Sequence, residues 1–188
     1  MESKTWTTVD KSTWGDGPWM AEPDKIQFAD EATGLPCLIK RSHLSGSLCG
    51  YVGVAEGHPW FGQGYGDVDA DVHGGLTFAD FCQEGDEAHT ICHIPGPGEP
   101  DRVWWLGFDA GHAFDISPAM EARELAQGYP PIRSMGADWG MGETYKTVAY
   151  VKAECASLAE QAWAARVTRT AVEGIDAMTA ARGSGNAK

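Results

Sequence analysis

Positive charge is what this 188-residue chain has least of: 14 Lys and Arg stand against 27 Asp and Glu, a formal net charge of −13. Broad binding to nucleic acid or to an anionic membrane draws on Lys and Arg that displace counterions. Neither is expected here, and the acidic residues are too scattered for a nucleic-acid mimic. No apolar run approaches the roughly 20 residues of a membrane-crossing helix. The opening segment MESKTWTTVDKSTW has no apolar signal-peptide core. The expected compartment is therefore the cytoplasm. The five cysteines, Cys37, Cys49, Cys82, Cys92 and Cys155, are expected there as reduced thiols.

Familiar catalytic signatures are missing too. There is no GxSxG, and no Cys sits in a known nucleophile context. The Gly-rich loop Gly57–Gly66 has no P-loop Lys and does not open a helix after a strand. DVDAD (Asp67–Asp71) alternates carboxylates as a calcium loop does, but lacks the glycine and distal glutamate of an EF-hand. A solvated acidic loop is the expectation. Cys82, His89, Cys92 and His93 do not follow zinc-finger spacing. Ordinary buried thiols and an exposed histidine pair are expected there.

What is present fits one domain with a real core: 43% hydrophobic residues and eight Trp, punctuated by 24 Gly and 10 Pro. Residues 1–22 read as an irregular arm whose Trp6, Trp14 and Trp19 dock on a body spanning 23–182, with a mobile tail at 183–188. Lys25–Phe28 and Cys37–Lys40 read as paired strands across the turn-rich DEATGLP, and Leu48–Ala55 as a third. Val72–Phe81 reads as a strand broken at Gly74-Gly75, and Arg102–Phe108 as the last strand. Ser117-Pro118 and Gly128 bracket a short helix. The strongest helix signal is Val148, Val151, Cys155, Leu158 and Ala162, an apolar stripe in a helix from about 144 to 170 that Val172, Ile175 and Met178 extend. Early strands and late helices predict an α+β fold: a twisted, mainly antiparallel sheet with the long C-terminal helix on one face. The stripe is read as core, with a homo-oligomer seam along 145–170 as the alternative and Trp163 beside it.

The functional signal is VWWLGFDAGHAFDISP (Val103–Pro118), in which an apolar strand delivers Asp109, His112 and Asp115 at its end. His73, beside a Gly-Gly turn, is the fourth member. Imidazoles and carboxylates together can bind polar ligand groups, work as an acid–base pair or hold a divalent metal. The structural alternative is that the aspartates cap turns and His112 bonds a backbone carbonyl.

Several motifs, in order, resemble an uncharacterised conserved protein family of bacteriophages and prophages: EPDKIQF (Glu22–Phe28), TGLPCLI (Thr33–Ile39), CGYVGV (Cys49–Val54), GHP (Gly57–Pro59), VHGGLTF (Val72–Phe78), WWLGFDAGHAFD (Trp104–Asp115) and YVKAE (Tyr150–Glu154). The resemblance implies a phage-type accessory protein working in the host cytoplasm. It implies no mechanism. A position usually small or Cys in the family is Ala110 here.

Three functions follow as expectations. The first is binding, without catalysis, of a small nucleotide-like ligand as counter-defence. His73, Asp109, His112 and Asp115 would make polar contacts, Tyr51, Trp60 and Trp104 the walls, and Arg41 or Arg133 would meet a phosphate. The second is a hydrolase whose divalent metal is held by His73, Asp109 and His112, with Asp115 or Glu154 as base. The third is an acidic interaction module inhibiting a host enzyme.

Overall fold

The computed structural model describes residues 1–83, 85–129 and 144–183, with side chains through 168. Six strands form one sheet: β1 (Lys4–Trp6), β2 (Lys25–Ala29), β3 (Pro36–Arg41), β4 (Leu48–Ala55), β5 (Phe78–Phe81) and β6 (Val103–Asp109). The spatial order is β1-β2-β3-β4-β6-β5, and every pairing is antiparallel. Helix α1 spans Pro118–Ala126 and α2 spans Val148–Gly183. The α+β expectation holds: the long helix lies across one face of the sheet. Among the described residues, no helix is long and apolar enough to cross a membrane.

Alternation along the strands divides the core in two. On one face, Phe28, Cys37, Ile39, Leu48, Val52 and Phe108 pack against Val151, Cys155, Leu158 and Ala159 of α2. A Cβ built on Gly50 would lie 2.4 Å from Phe108 Cζ and 2.7 Å from Cys155 Sγ, so only glycine lets the helix come this close. Val151, Cys155, Leu158 and Ala162 of the apolar stripe are thus spent on the chain's own core, while Trp163 and Val167 stay exposed. On the other face, Leu38, Tyr51, Ile91, Val103 and Trp105 form a second cluster under the segment that joins β5 to β6.

Three expectations need correction. The N-terminal arm is not wholly irregular, because Lys4–Trp6 pairs with β2, although Trp19 is buried as expected of a docked ring. The strand expected over 72–81 shrinks to Phe78–Phe81: Gly74 and Gly75 take positive φ, which breaks the extended backbone and leaves His73 on a loop. Cys82 and Cys92 are joined in a disulfide, while Cys37, Cys49 and Cys155 are free.

Candidate functional site

Three chain segments meet where β6 ends. The loop before β5 brings His73, the β6–α1 loop brings His112 and Asp115, and the first turns of α2 bring Tyr150 and Glu154. Ligand-type atoms of His73, His112 and Asp115 all lie within 4.8 Å of one another. His73 Nε2 is 2.7 Å from Asp115 Oδ2, and Asp115 Oδ2 also accepts the backbone N–H of His112 at 3.0 Å. The two imidazoles meet edge to face at 5.6 Å.

The local backbone is built for this meeting. Gly74 has φ 68°, and a Cβ there would sit 2.1 Å from His112 Cε1, so glycine supplies both the turn and the space for the imidazole. Phe114 is the one described non-glycine residue with positive φ, at 73°. A bulky residue in that region costs on the order of 1–3 kcal/mol and persists only where its surroundings impose it. Thr144 imposes it here: Thr144 N–H donates to Phe114 O at 3.0 Å and Ile116 N–H donates to Thr144 O at 3.1 Å. The twisted loop turns Asp115 inward and leaves Phe114 exposed.

Surrounding groups hold the histidine and the carboxylate in place. Tyr150 OH lies 3.0 Å from His73 Nδ1, and Glu154 Oε2 accepts the His73 backbone N–H at 2.8 Å. Lys146 Nζ lies 3.5 Å from the outer oxygen of Asp115. Burial, followed by the negative charges of Glu154 and Asp115, pushes the Tyr150 phenol above its ordinary value, so it stays protonated on His73. His112 is different. Its Nδ1 is buried without a hydrogen-bond partner, 3.7 Å from Asp109 Oδ1 and 3.9 Å from Asp115 Oδ2. Beside the cluster a cavity of about 360 Å³ is lined by His112, Phe114, Asp115, Met120, Glu121 and Glu124, among others.

Asp109 does not complete the expected metal set; Asp115 does. Alternation puts Asp109 on the sheet face away from α2, where its Oδ1 caps the turn at Gly111 N–H, 3.1 Å away. Glu154 anchors the His73 loop rather than facing the cavity as a base. The proposed aromatic walls lie elsewhere. Tyr51 is buried on the opposite face against Phe78. Trp104, at the far end of β6, donates its indole N–H to Gln63 O at 3.0 Å and packs on Phe81. Trp60 packs on His58, which is bonded to Ala162 O. That is three turns of α2 beyond Tyr150, roughly 18 Å along the helix.

Arg41 is not a phosphate contact. It is 1% exposed and bonds Asp24 at 2.9 Å, Glu22 at 3.1 Å, Gly46 O at 2.9 Å and Tyr145 OH at 2.7 Å. Arg133, the other candidate cation, lies outside the described residues. Sequence reading missed Tyr150 as a partner of His73, although its spacing from Glu154 places both on one helix face.

Elsewhere, Cys82, Cys92 and His93 also place ligand-type atoms within 4.8 Å of one another. The histidines flanking Cys92 are not an exposed pair: His89 is exposed, but His93 is buried under Trp105 because the β5–β6 segment folds over that face. Burial lowers the His93 pKa, so its imidazole is held neutral.

Comparison of the chain with family models, with curated proteins and with solved structures finds no match.

Proposed function

We propose that His73, His112 and Asp115 hold a divalent transition-metal ion, and that the ion activates water for hydrolysis of a small substrate seated in the adjoining cavity. One observation carries this reading: His112 Nδ1 is buried and unpartnered within a cluster of ligand atoms. A buried ring nitrogen without a partner costs about 1–3 kcal/mol, and a metal ion would relieve it. The separations of 2.7 and 3.9 Å bracket the spacing of about 3.3 Å that four ligands at 2.0–2.1 Å impose on each other around zinc. Tyr150 on the remaining nitrogen of His73 matches the outer partner that metal-bound histidines use to fix their orientation. With three protein ligands, at least one coordination position is left for water. Glu124, which lines the same cavity, would take its proton.

The test uses protein stripped with a chelator, its disulfide intact, and then titrated with Zn²⁺, Mn²⁺ or Ni²⁺. One ion per chain and a metal-dependent hydrolysis of activated phosphate or carboxylate esters support the proposal. Stripped protein that neither binds an ion nor gains activity contradicts it.

A second reading, binding without turnover, is favoured by the size of the cavity and by its apolar members Phe114 and Met120. In that reading a phage-type accessory protein sequesters a small ligand through the metal, since Arg41 is buried among its own partners and does not line the cavity. A metal-dependent rise in melting temperature with a nucleotide panel, and no product formed, would select it.

A further inference from the structure

The segment that joins β5 to β6 carries a second cluster on the opposite face of the sheet, unconnected with the first. We infer that Cys82, Cys92 and His93 form a zinc site opened and closed by redox state: thiolate ligands for Zn²⁺ when the cysteines are reduced, a disulfide without metal when they are oxidised.

The non-covalent frame holds both sulfurs in reach in either state. Gln83 N–H donates to Ile91 O at 3.2 Å, and Ile91 N–H donates back to Gln83 Oε1 at 3.4 Å. Lys25, 1% exposed, donates to Cys92 O at 2.8 Å and to Glu87 O. Reduction therefore does not release the two cysteines from each other. The Cα atoms are 4.7 Å apart. Two sulfurs bound to zinc at about 2.3 Å need a separation near 3.7 Å, which a side-chain rotation supplies.

An independent observation points to a ligand. His93 is 6% exposed, and its Nδ1 is buried without a hydrogen-bond partner. A ring nitrogen of His93 lies within 4.8 Å of both sulfurs, which makes the imidazole the third donor for a zinc ion. Soft thiolates with an imidazole suit zinc rather than magnesium or calcium. Trp105, whose indole N–H lies 3.4 Å from Cys82 Sγ and whose ring meets His93 at 5.4 Å, closes one side.

The step balances simply. A low-molecular-weight dithiol reduces the disulfide with two electrons and two protons and is itself oxidised to a disulfide. Zinc then displaces the two thiol protons. In the reverse direction a low-molecular-weight disulfide takes the two electrons from the thiolates and, with two protons, leaves as two thiols, while the Cys82–Cys92 bond re-forms and the zinc ion is released.

Cobalt(II) is the probe, because thiolate ligation gives a sulfur-to-cobalt charge-transfer band in the near ultraviolet that the His73–His112–Asp115 cluster cannot produce. Wild-type protein reduced with a dithiol, desalted anaerobically and titrated with Co²⁺ should show this band with one ion per site, and Zn²⁺ should abolish it. Oxidised protein should show none. Cys82→Ser and Cys92→Ser should each weaken Co²⁺ binding at least 100-fold. His93→Gln should weaken it at least tenfold with the band retained. Cys49→Ser, which removes the partly exposed free thiol, should bind as wild type. His112→Ala should keep the band, so failure at either cluster is visible separately. No band in the reduced wild type, or a band lost in Cys49→Ser but kept in Cys82→Ser, overturns the inference; a His93→Gln variant binding as tightly as wild type removes His93 from the ligand set and overturns it equally.

Discussion

Two polar clusters lie on the helix side of the sheet, and they differ in how completely their groups are paired. Around Arg41, the donors and acceptors close on themselves: the guanidinium bonds Asp24, Glu22, Pro23 O, Gly46 O and Tyr145 OH, and Lys11 joins Asp24 at 2.6 Å. Glu22 in turn accepts the α2 N–H of Val148 at 2.8 Å, so this knot ties the start of the long helix to the sheet. Around His73, the bonds also close, except at His112 Nδ1, and the cluster adds a left-handed Phe114 and an adjoining cavity. The Arg41 knot has no capacity left for a ligand. The histidine cluster holds an idle donor atom and strain imposed by its surroundings, the marks of a group arranged for something besides folding.

The comparison is broken or sharpened by substitution. Arg41→Met carries the largest expected effect. It leaves the largely buried Glu22 without its cation and Asp24 with Lys11 alone, a break in a buried charge network that costs about 3–5 kcal/mol. Chemical denaturation should read that loss directly, and a loss under 1 kcal/mol would show the knot to be incidental. Gly74→Ala is next. The methyl must displace His112 and the backbone must hold positive φ, so stability should fall by about 1–2 kcal/mol and metal affinity should fall with it. If metal binding, read by calorimetry, is unchanged, His112 is not a ligand. Tyr150→Phe is smaller: metal affinity should drop about tenfold, since outer partners of metal-bound histidines contribute at that level, with stability nearly intact.

The smallest effect concerns pH. Burial raises the Asp24 pKa, but hydrogen bonds from Lys11 and from the backbone N–H groups of Val9 and Thr8 outweigh it, leaving the carboxyl below its ordinary value of 3.8. The unfolded chain then binds that proton more readily than the folded one. The Asp24 contribution is complete above the ordinary value and declines as pH falls through the lower folded-state value. Acid denaturation followed in wild type and in Lys11→Met should show a shallower loss in the variant.

Periodicity made the framework legible. The apolar run at Val103–Phe108 and the stripe from Val148 to Ala162 each have one solution, a buried strand and a helix lying on it. Which of two nearby aspartates joins the histidines was not legible. Asp109 and Asp115 have the same chemistry and similar spacing from His112, and the choice is made by a left-handed Phe114 held by Thr144, far along the chain. Arg41 misled for a related reason: its partners Glu22, Asp24 and Tyr145 are brought to it by tertiary folding, so nothing local marks it as buried. The Cys82–Cys92 disulfide was not legible because its spacing matches no common motif and nothing local distinguishes a bonded cysteine from a free one.

The central claim is that His73, His112 and Asp115 are the ligands of one metal ion. Crystals of the oxidised protein soaked in Zn²⁺ and measured at the zinc absorption edge test it most directly. The account predicts a single strong anomalous peak about 2.0–2.2 Å from the His73 and His112 ring nitrogens and from an Asp115 carboxylate oxygen, and its loss in His112→Ala. A map without a peak there, or with zinc only on Glu121 and Glu124, would contradict it.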